Sequence, residues 1–237
     1  MSGKSTLFLI PSSLNAEYSG DQVAINAIPE ISHLRHFAVE NIRHARRYLR
    51  QLLPDLIIDE CTFYEMGKHA RPEELEHALQ VLKSGSDVGV ISEAGLPGVA
   101  DPGNNIVAGA HQQGFRVKPI IGPGSVFLAL MASGFNGQEF TFHGYLPREN
   151  QDRSKKLKDL EQTLNRTGYT QIFMETPYRN EQLLADILKS CLPATVLCIA
   201  CAITTPDEYI RSMTVAQWKK EKTDLHKKPA IFLLGRM

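Results

Sequence analysis

Short apolar runs alternate with longer amphipathic stretches along most of the 237-residue sequence. This alternation is typical of repeated strand–helix units, and it disfavours both a helical bundle and an all-β sandwich. Several runs are apolar at consecutive positions, as in strands that helices cover on both faces. The sequence therefore predicts a fold of the α/β class.

The same pattern predicts where individual strands and helices lie. Strands are expected at Leu7–Ile10, His36–Val39, Val88–Ser92, Arg116–Pro119, Phe140–His143, Gln171–Met174, Val196–Cys201 and Ala230–Leu234. Helices are expected near Asp21–Ile28, Ile42–Leu52, Pro72–Lys83, Asn104–Gln113, Ser125–Met131, Gln151–Thr167, Tyr178–Ser190 and Thr214–Glu221. Pro72 suits the first turn of its helix, and Gly114 suits the residue just past a helix end.

The segment Pro119–Gly124 combines two prolines and two glycines between a strand and a helix. Such a segment is the best candidate for a domain junction, because it turns the chain without needing a packed core. We therefore predict an N-terminal α/β domain over 1–119 and a C-terminal α/β domain over 120–237. A ligand cleft between the two domains is the expectation that follows.

Composition excludes several classes of protein. The 26 basic and 26 acidic residues cancel, so the net charge draws the chain to neither nucleic acid nor anionic membrane. The sequence lacks an apolar run of about 20 residues and a signal-peptide pattern at its start, so we expect a cytoplasmic protein without membrane contact. Four cysteines are too few to indicate a disulfide framework.

Three short patterns resemble functional motifs but lack the required context. Gly3–Thr6 matches the end of a phosphate-binding loop, but the preceding strand and first glycine of that loop are missing. Cys198 and Cys201 lie in an apolar strand, where residues three apart point to opposite faces. His33 and His36 have no third ligand nearby in sequence. We therefore assign no metal.

The strongest candidate for a binding site is the loop Ser92–Gly103, whose sequence is SEAGLPGVADPG. It follows an apolar strand and precedes a helix, so it lies at a strand's carboxyl end, where open α/β sheets bind ligands. Its glycines and prolines let the main chain turn tightly and approach a ligand closely. A simple strand-to-helix connection needs only about 2–6 residues, so the extra length favours ligand binding.

Ser92–Gly103 resembles the S-D-A-G-x-P-x-x-x-D-P-G element of the tetrapyrrole methylase superfamily, and specifically of its ribosomal RNA small subunit methyltransferase I branch. Further segments are similar to motifs of that branch, in the same order along the chain, from Thr6 to Arg179. They are Val39–Leu49, Gly122–Ser125, Ala129–Gly134, Phe142–Pro147 and Phe173–Arg179.

The resemblance implies a two-domain protein, each domain a mixed sheet flanked by helices, that forms a homodimer and binds S-adenosylmethionine between its domains. The cofactor contacts implied by matching positions are Pro11, Gly95, Leu96, Pro97, Val99, Ala100, Asp101, Ser125 and Met174. For Asp101 an alternative is open, because an aspartate here can also cap the following helix.

The resemblance implies methyl transfer, and a ribose hydroxyl as acceptor requires a base to take its proton. Glu40, Glu93 and Glu175 are the carboxylates within the matching motifs, and spacing does not choose among them. Arg43 would orient an anionic acceptor. Arg43, Arg46, Arg47 and Arg50 share one helix face, which suits either RNA phosphates or a solvated surface.

The chain departs from the family pattern at several positions. The family has T-P-I-G-N-L after the first strand, whereas Ser12 and Ser13 follow Pro11 here. An acidic residue is replaced by Asn41, and the family's A-R-E-L-T-K is replaced by Ala200–Thr205. Three functions follow: methylation of a ribose 2′-hydroxyl of ribosomal RNA, methylation of a tetrapyrrole or other small molecule, or S-adenosylmethionine binding without transfer.

Overall fold

A computed structural model describes residues 5–15, 27–67 and 71–237. The chain divides into two compact units, Met1–Gly124 and Ser125–Met237. This division lies at the end of the Pro119–Gly124 segment, whereas the sequence interpretation places the boundary before Ile120. The boundary between functional domains at residues 119 and 120 therefore stays a prediction.

The first unit contains a five-stranded sheet in which all the strands are parallel. Its strands are β1 (Thr6–Ile10), β2 (His36–Val39), β3 (Thr62–Glu65), β4 (Val88–Ile91) and β5 (Arg116–Pro119), and their order in the sheet is β3-β2-β4-β1-β5. The helices are α1 (Ile28–Ile31), α2 (Ile42–Leu52), α3 (Pro72–Lys83) and α4 (Asn104–Gln112), with a 3-10 turn at Ile58–Glu60.

Apolar clusters cover both faces of this parallel sheet. Phe37 and Val39 of β2 join one cluster with Leu49 of α2, whereas Ala38 joins the other cluster with residues of α3 and α4. Because successive strand residues point to opposite faces, both faces need apolar side chains. This double burial explains why the strands are apolar at consecutive positions.

Local signals define the helix ends. Asn41 caps α2 by accepting a 3.0 Å hydrogen bond from the main-chain N–H of His44. Pro72 begins α3, where its missing N–H would have no helical partner. Gly114, just beyond α4, has a φ of 72°, a conformation that glycine adopts without strain. The predicted ends of α2 and α3 are therefore confirmed.

The second unit contains a mixed five-stranded sheet. Its strands are β6 (Phe140–Tyr145), β7 (Thr170–Met174), β8 (Val196–Cys201), β9 (Tyr209–Thr214) and β10 (Ala230–Gly235), and their order is β6-β7-β10-β8-β9. Only β6 and β7 pair in parallel. The helices are α5 (Ser125–Ser133), α6 (Asn150–Thr167), α7 (Asn180–Ser190) and α8 (Val215–Trp218), with a 3-10 turn at Pro177–Arg179.

The main core of the second unit lies under α6, α7 and α8, where Leu157, Ile187 and Trp218 pack on the sheet. Cys201 belongs to this cluster, and Cys198 is fully buried but lies outside it. The two cysteines are thus packing residues on opposite faces of β8, as the strand period requires.

The α/β class is confirmed, and the structure corrects several predicted elements. Two strands, β3 and β9, were not predicted, because polar side chains interrupt their short sequences. The helix predicted at Thr214–Glu221 is only the four-residue α8. Most of the helix predicted at Asp21–Ile28 lies outside the described residues. Within the described ranges, no helix is both long and apolar enough to cross a membrane.

Candidate cofactor and acceptor site

The loop Ser92–Gly103 leaves the parallel sheet at the carboxyl end of β4, as the sequence predicts. Pro11 follows β1 and Glu40 follows β2, and these strands are the two neighbours of β4 in the sheet. Because the carboxyl ends of parallel strands meet at one edge, all three segments lie at the same edge. This edge is where such sheets bind ligands.

Hydrogen bonds join the turn after β1 to the loop after β4. The main-chain N–H of Ser12 donates to the carbonyl of Gly95 at 2.8 Å, and the N–H of Gly95 donates to the carbonyl of Ser12 at 3.1 Å. The Ser12 Oγ donates to the carbonyl of Ser92 at 2.6 Å. Gly95 has a φ of 73°, which an L side chain rarely adopts.

Pro11 is enclosed by neighbouring groups of the same unit. The hydroxyl of Tyr48 on α2 donates to the Pro11 carbonyl at 2.6 Å. Tyr48 is 3% exposed, and burial raises the pKa of its hydroxyl, so this group stays protonated as a donor. A Cβ added at Gly122 would lie 2.3 Å from Pro11 Cβ, so only glycine allows this close approach.

The middle of the loop exposes its main chain. Val99 is 42% exposed, and Ala100 is also exposed, with a φ of 62°. A left-handed conformation costs a non-glycine residue about 1–2 kcal/mol, and strain of this kind is concentrated at functional sites. Leu96 and Pro97 are partly exposed. The predicted contact residues of the loop are therefore accessible from solvent at several positions.

Three carboxylates lie close together at this edge: Glu40, Glu93 and Asp101. The main-chain N–H of Glu93 donates to Glu40 Oε2 at 3.3 Å. Burial, followed by the charges of Glu40 and Glu93, raises the pKa of Asp101 to about 6. Such a group is costly to ionise in the folded protein unless a cation lies beside it. The cluster is therefore suited to a positively charged ligand.

The alternative role of Asp101 as a helix cap is not what the structure shows. The N-cap residue of α4 is Gly103, and its position has no side-chain capping hydrogen bond. Gly103 has a φ of 133°, a conformation that L side chains rarely adopt. Asp101 consequently belongs with the carboxylate cluster and not with the helix start.

Glu175 has different surroundings, in the second unit. Its side chain is 1% exposed, and its Oε1 accepts hydrogen bonds from Arg179 Nη2 at 2.5 Å and from the main-chain N–H of Thr176 at 2.7 Å. These bonds fix the short turn after β7. Met174, at the end of β7, and Ser125, at the start of α5, are both partly exposed in this unit.

The arginines of α2 separate into two groups. Arg46 pairs with Asp59 at 2.5 Å, and its guanidinium lies 5.8 Å from the centre of the Phe63 ring. Arg43, Arg47 and Arg50 are exposed. The exposed set thus forms a basic surface on the helix that begins directly after Glu40.

His44, in the first turn of α2, is influenced by charges from both the basic surface and the carboxylates. Burial lowers its pKa, the charge of Arg47 lowers it further, and the charge of Glu93 opposes both effects. The neutral imidazole is therefore favoured at neutral pH.

Two residues with clear contacts at this edge were not singled out from the sequence, namely Ser12 and Tyr48. Tyr48 lies on the apolar face of α2, where an aromatic side chain indicates a core position. Ser12 belongs to the segment that departs from the family pattern, so no motif marked it. Their roles depend on hydrogen bonds to distant residues, which sequence spacing does not show.

No protein-family model matches the chain. The ribosomal RNA small subunit methyltransferase I of Vibrio cholerae is 29% identical over 235 residues, covering 98% of this chain and 77% of that protein. The protein of the same name from Micromonospora olivasterospora is 32% identical over 185 residues, covering 78% of this chain and 55% of that protein.

Among solved structures, the methyltransferase CobJ superposes with a TM-score of 0.62 at 17% identity, covering 99% of this chain and 95% of that one. This likeness shows that the two chains share a fold. The curated relatives are ribosomal RNA small subunit methyltransferase I proteins, at about 25–37% identity. The resemblance to ribosomal RNA small subunit methyltransferase I on which the site residues were assigned is thereby confirmed. The roles of individual residues stay predictions.

Proposed function

We propose that the chain is an S-adenosylmethionine-dependent methyltransferase that modifies a ribose 2′-hydroxyl of small-subunit ribosomal RNA. The observation that supports it best is the loop Ser92–Gly103, which is exposed in its middle and hydrogen-bonded to Ser12, beside three carboxylates. The curated relatives are named for methylation of ribosomal RNA, which favours this acceptor over a tetrapyrrole.

The residues present fit the proposed cofactor. S-adenosylmethionine carries a sulfonium cation and an amino group, and the cluster of Glu40, Glu93 and Asp101 favours positive charge. Exposed main-chain groups of the loop can hydrogen-bond the adenine edge and the ribose. The residues proposed to contact the cofactor are Pro11, Gly95, Leu96, Pro97, Val99, Ala100, Asp101, Ser125 and Met174.

The cofactor would supply a methyl group on an already activated sulfur leaving group. The protein's part is to align the two reactants, to exclude water and to accept the hydroxyl proton. Glu40 and Glu93 are better placed as this base than Glu175, because Glu175 is buried and paired with Arg179.

The acceptor is proposed to bind along α2. Arg43, Arg47 and Arg50 are exposed on this helix, and its first turn follows Glu40 directly. Arginine fits phosphate oxygens closely, so a single exposed face can bind RNA in a chain whose net charge is zero. A cytoplasmic location and a homodimer complete the proposal, and sedimentation of the purified protein tests the dimer.

The experiment is calorimetric titration with S-adenosylmethionine, followed by transfer of labelled methyl groups to unmodified small-subunit ribosomal RNA. We expect saturable binding and label in the ribose. A tetrapyrrole precursor is the parallel acceptor. Label in that compound alone would contradict the RNA assignment, and absence of cofactor binding would overturn the whole proposal.

One alternative keeps specific support. The changed segment after Pro11 and the replacement of an acidic residue by Asn41 are compatible with a protein that binds the cofactor without transferring its methyl group. Binding without transfer to either acceptor would favour this alternative.

A further inference from the structure

We propose that Ser12 is a positioning residue of the cofactor site. Its hydrogen bonds would hold the loop Ser92–Gly103 in place, at a position where the family pattern has no serine. This inference rests on the proposed function. It assigns a role to a residue that differs from the family pattern, where Ile and Gly follow the proline. Tyr48 supports the same segment from α2.

At the sheet edge, the path of the chain departs from the register of the strands. Strands β1 and β4 run in parallel register, with Ile10 beside Ile91. If that register continued, Ser12 would lie beside Glu93. Instead it forms an antiparallel bridge with Gly95, so the loop has folded back on itself by this point. Holding such a reversal requires bonds beyond those of the strands.

The side chain of Ser12 supplies one of those bonds. Ser12 is fully buried, and its Oγ donates to the carbonyl of Ser92, the residue at which the loop begins. Its main chain pairs with Gly95 through two hydrogen bonds. Ser12 therefore holds the loop at its first residue, Ser92, and at its fourth, Gly95. Leu96 and Pro97 follow directly after this second point of attachment.

Tyr48 holds the same segment from α2. Its hydroxyl binds the carbonyl of Pro11, the residue before Ser12. Three segments, from β1, β4 and α2, are thus joined by hydrogen bonds. The last of them carries the exposed arginines proposed for RNA. A loop held in place before its ligand arrives loses less entropy on binding, so these bonds raise affinity for the cofactor without contacting it.

The neighbouring serine provides a matched control. Ser13 is also buried, but the hydrogen bonds described for its Oγ are with Asn15, within the same turn. Removing its hydroxyl changes the same segment but leaves the Ser12–Ser92 hydrogen bond in place. Ser12→Thr keeps a hydroxyl at the position and serves as the conservative variant.

The test uses the full chain and two measurements. The first is amide hydrogen exchange of Gly95 in the cofactor-free protein, because its N–H donates to Ser12. The second is the dissociation constant for S-adenosylmethionine. Losing one buried hydrogen bond corresponds to about a tenfold change. We expect Ser12→Ala to speed amide exchange at Gly95 by about tenfold and to raise the dissociation constant for S-adenosylmethionine by about tenfold. Tyr48→Phe should change both quantities in the same direction.

Ser13→Ala should leave both measurements near those of the unmodified protein, and Ser12→Thr should restore most of the loss. Unchanged cofactor affinity in a folded Ser12→Ala protein would overturn the inference, as would equal losses in the Ser12→Ala and Ser13→Ala proteins. If the unmodified protein fails to bind the cofactor, the proposed function falls and takes the positioning role with it. The amide exchange rate of Gly95 still tests, without cofactor, whether the Ser12 side chain holds the loop.

Discussion

Asp101 shows how one side chain can link cofactor binding to pH. Its pKa is raised to about 6 by burial and by Glu40 and Glu93, so the free protein holds a proton there in mild acid. A bound cation favours the charged carboxylate, and binding below pH 6 must therefore release that proton.

We predict that affinity for S-adenosylmethionine is constant well above pH 6 and falls as the pH drops below it, by up to about tenfold per pH unit. Calorimetry between pH 5 and 8 measures this dependence. Asp101→Asn should bind more weakly at neutral pH and lose most of the dependence. A persistent inflection near pH 6 in that variant would assign the titration to another group.

Gly95 sets a steric limit at the same edge. Its φ of 73° strains any L residue, and an added Cβ would lie 3.2 Å from Leu14 Cδ2 and 3.7 Å from the Pro123 carbonyl oxygen. We predict that Gly95→Val abolishes measurable cofactor binding, because both the turn and its surroundings must shift. Gly137→Ala is the control, since nothing lies within 4 Å of a Cβ at Gly137. Unchanged affinity in Gly95→Val would refute the loop assignment.

Among the elements, α2 illustrates how one helix face divides between structure and binding. Arg46 is held by Asp59 and Phe63, whereas Arg43, Arg47 and Arg50 are exposed. We predict that replacing these three exposed arginines with alanine weakens RNA binding and reduces its salt dependence. The slope of log affinity against log salt concentration should fall in magnitude by about 2 if all three contact phosphates of a single strand.

The measurement is RNA affinity over a range of salt concentrations. Arg46→Ala is the contrasting variant, expected to leave the salt slope unchanged. If Arg46→Ala lowered the salt slope as much as each exposed arginine does, Arg46 would also be a phosphate contact, and the division of the face would be wrong.

Helices α6 and α7 are joined by a buried ion pair. Arg153 Nη2 lies 2.6 Å from Asp186 Oδ2, and both side chains are less than 8% exposed. Arg153 also donates to the carbonyls of Pro147 and Arg148, which fixes the turn before α6. We predict that Asp186→Ala destabilises the protein by about 3–5 kcal/mol, because it leaves a buried guanidinium without its partner.

Urea unfolding measures this loss. Glu221→Ala, which removes the partner of Arg211 in an exposed pair, should leave the unfolding midpoint almost unchanged. Similar losses of unfolding free energy in the two variants would contradict the prediction that the buried pair stabilises the protein more than the exposed pair does.

The elements also show what sequence can and cannot predict. The bounds of β2, β5, β8, α2 and α3 follow from apolar periodicity and capping residues, and all were predicted as they occur. Strands β3 and β9 were missed, because their sequences TFYE and YIRSMT carry too few consecutive apolar residues. The loop at Ser92 was marked by its own composition. Its contact with Ser12 was not, because 80 residues separate the two partners of that bond.

For the whole molecule, cofactor binding should appear as stability. A ligand that binds only the folded state raises the free energy of unfolding by about 2.7 kcal/mol when its concentration is 100 times its dissociation constant. We predict that S-adenosylmethionine raises the melting temperature and that the rise grows with cofactor concentration. Gly95→Val should melt at the same temperature with and without cofactor. A rise in that variant equal to the unmodified protein's would place the cofactor elsewhere.

The position of β10 has a consequence for how the chain is made. This strand follows all the other described strands in sequence, yet it lies between β7 and β8 in the middle of its sheet. The parallel sheet of the first unit has all its strands once Pro119 has left the ribosome. The second sheet waits for Ala230–Gly235, so β7 and β8 keep open edges for more of synthesis. Open edges pair readily with other chains, so we expect the nascent protein to be prone to aggregation during this interval.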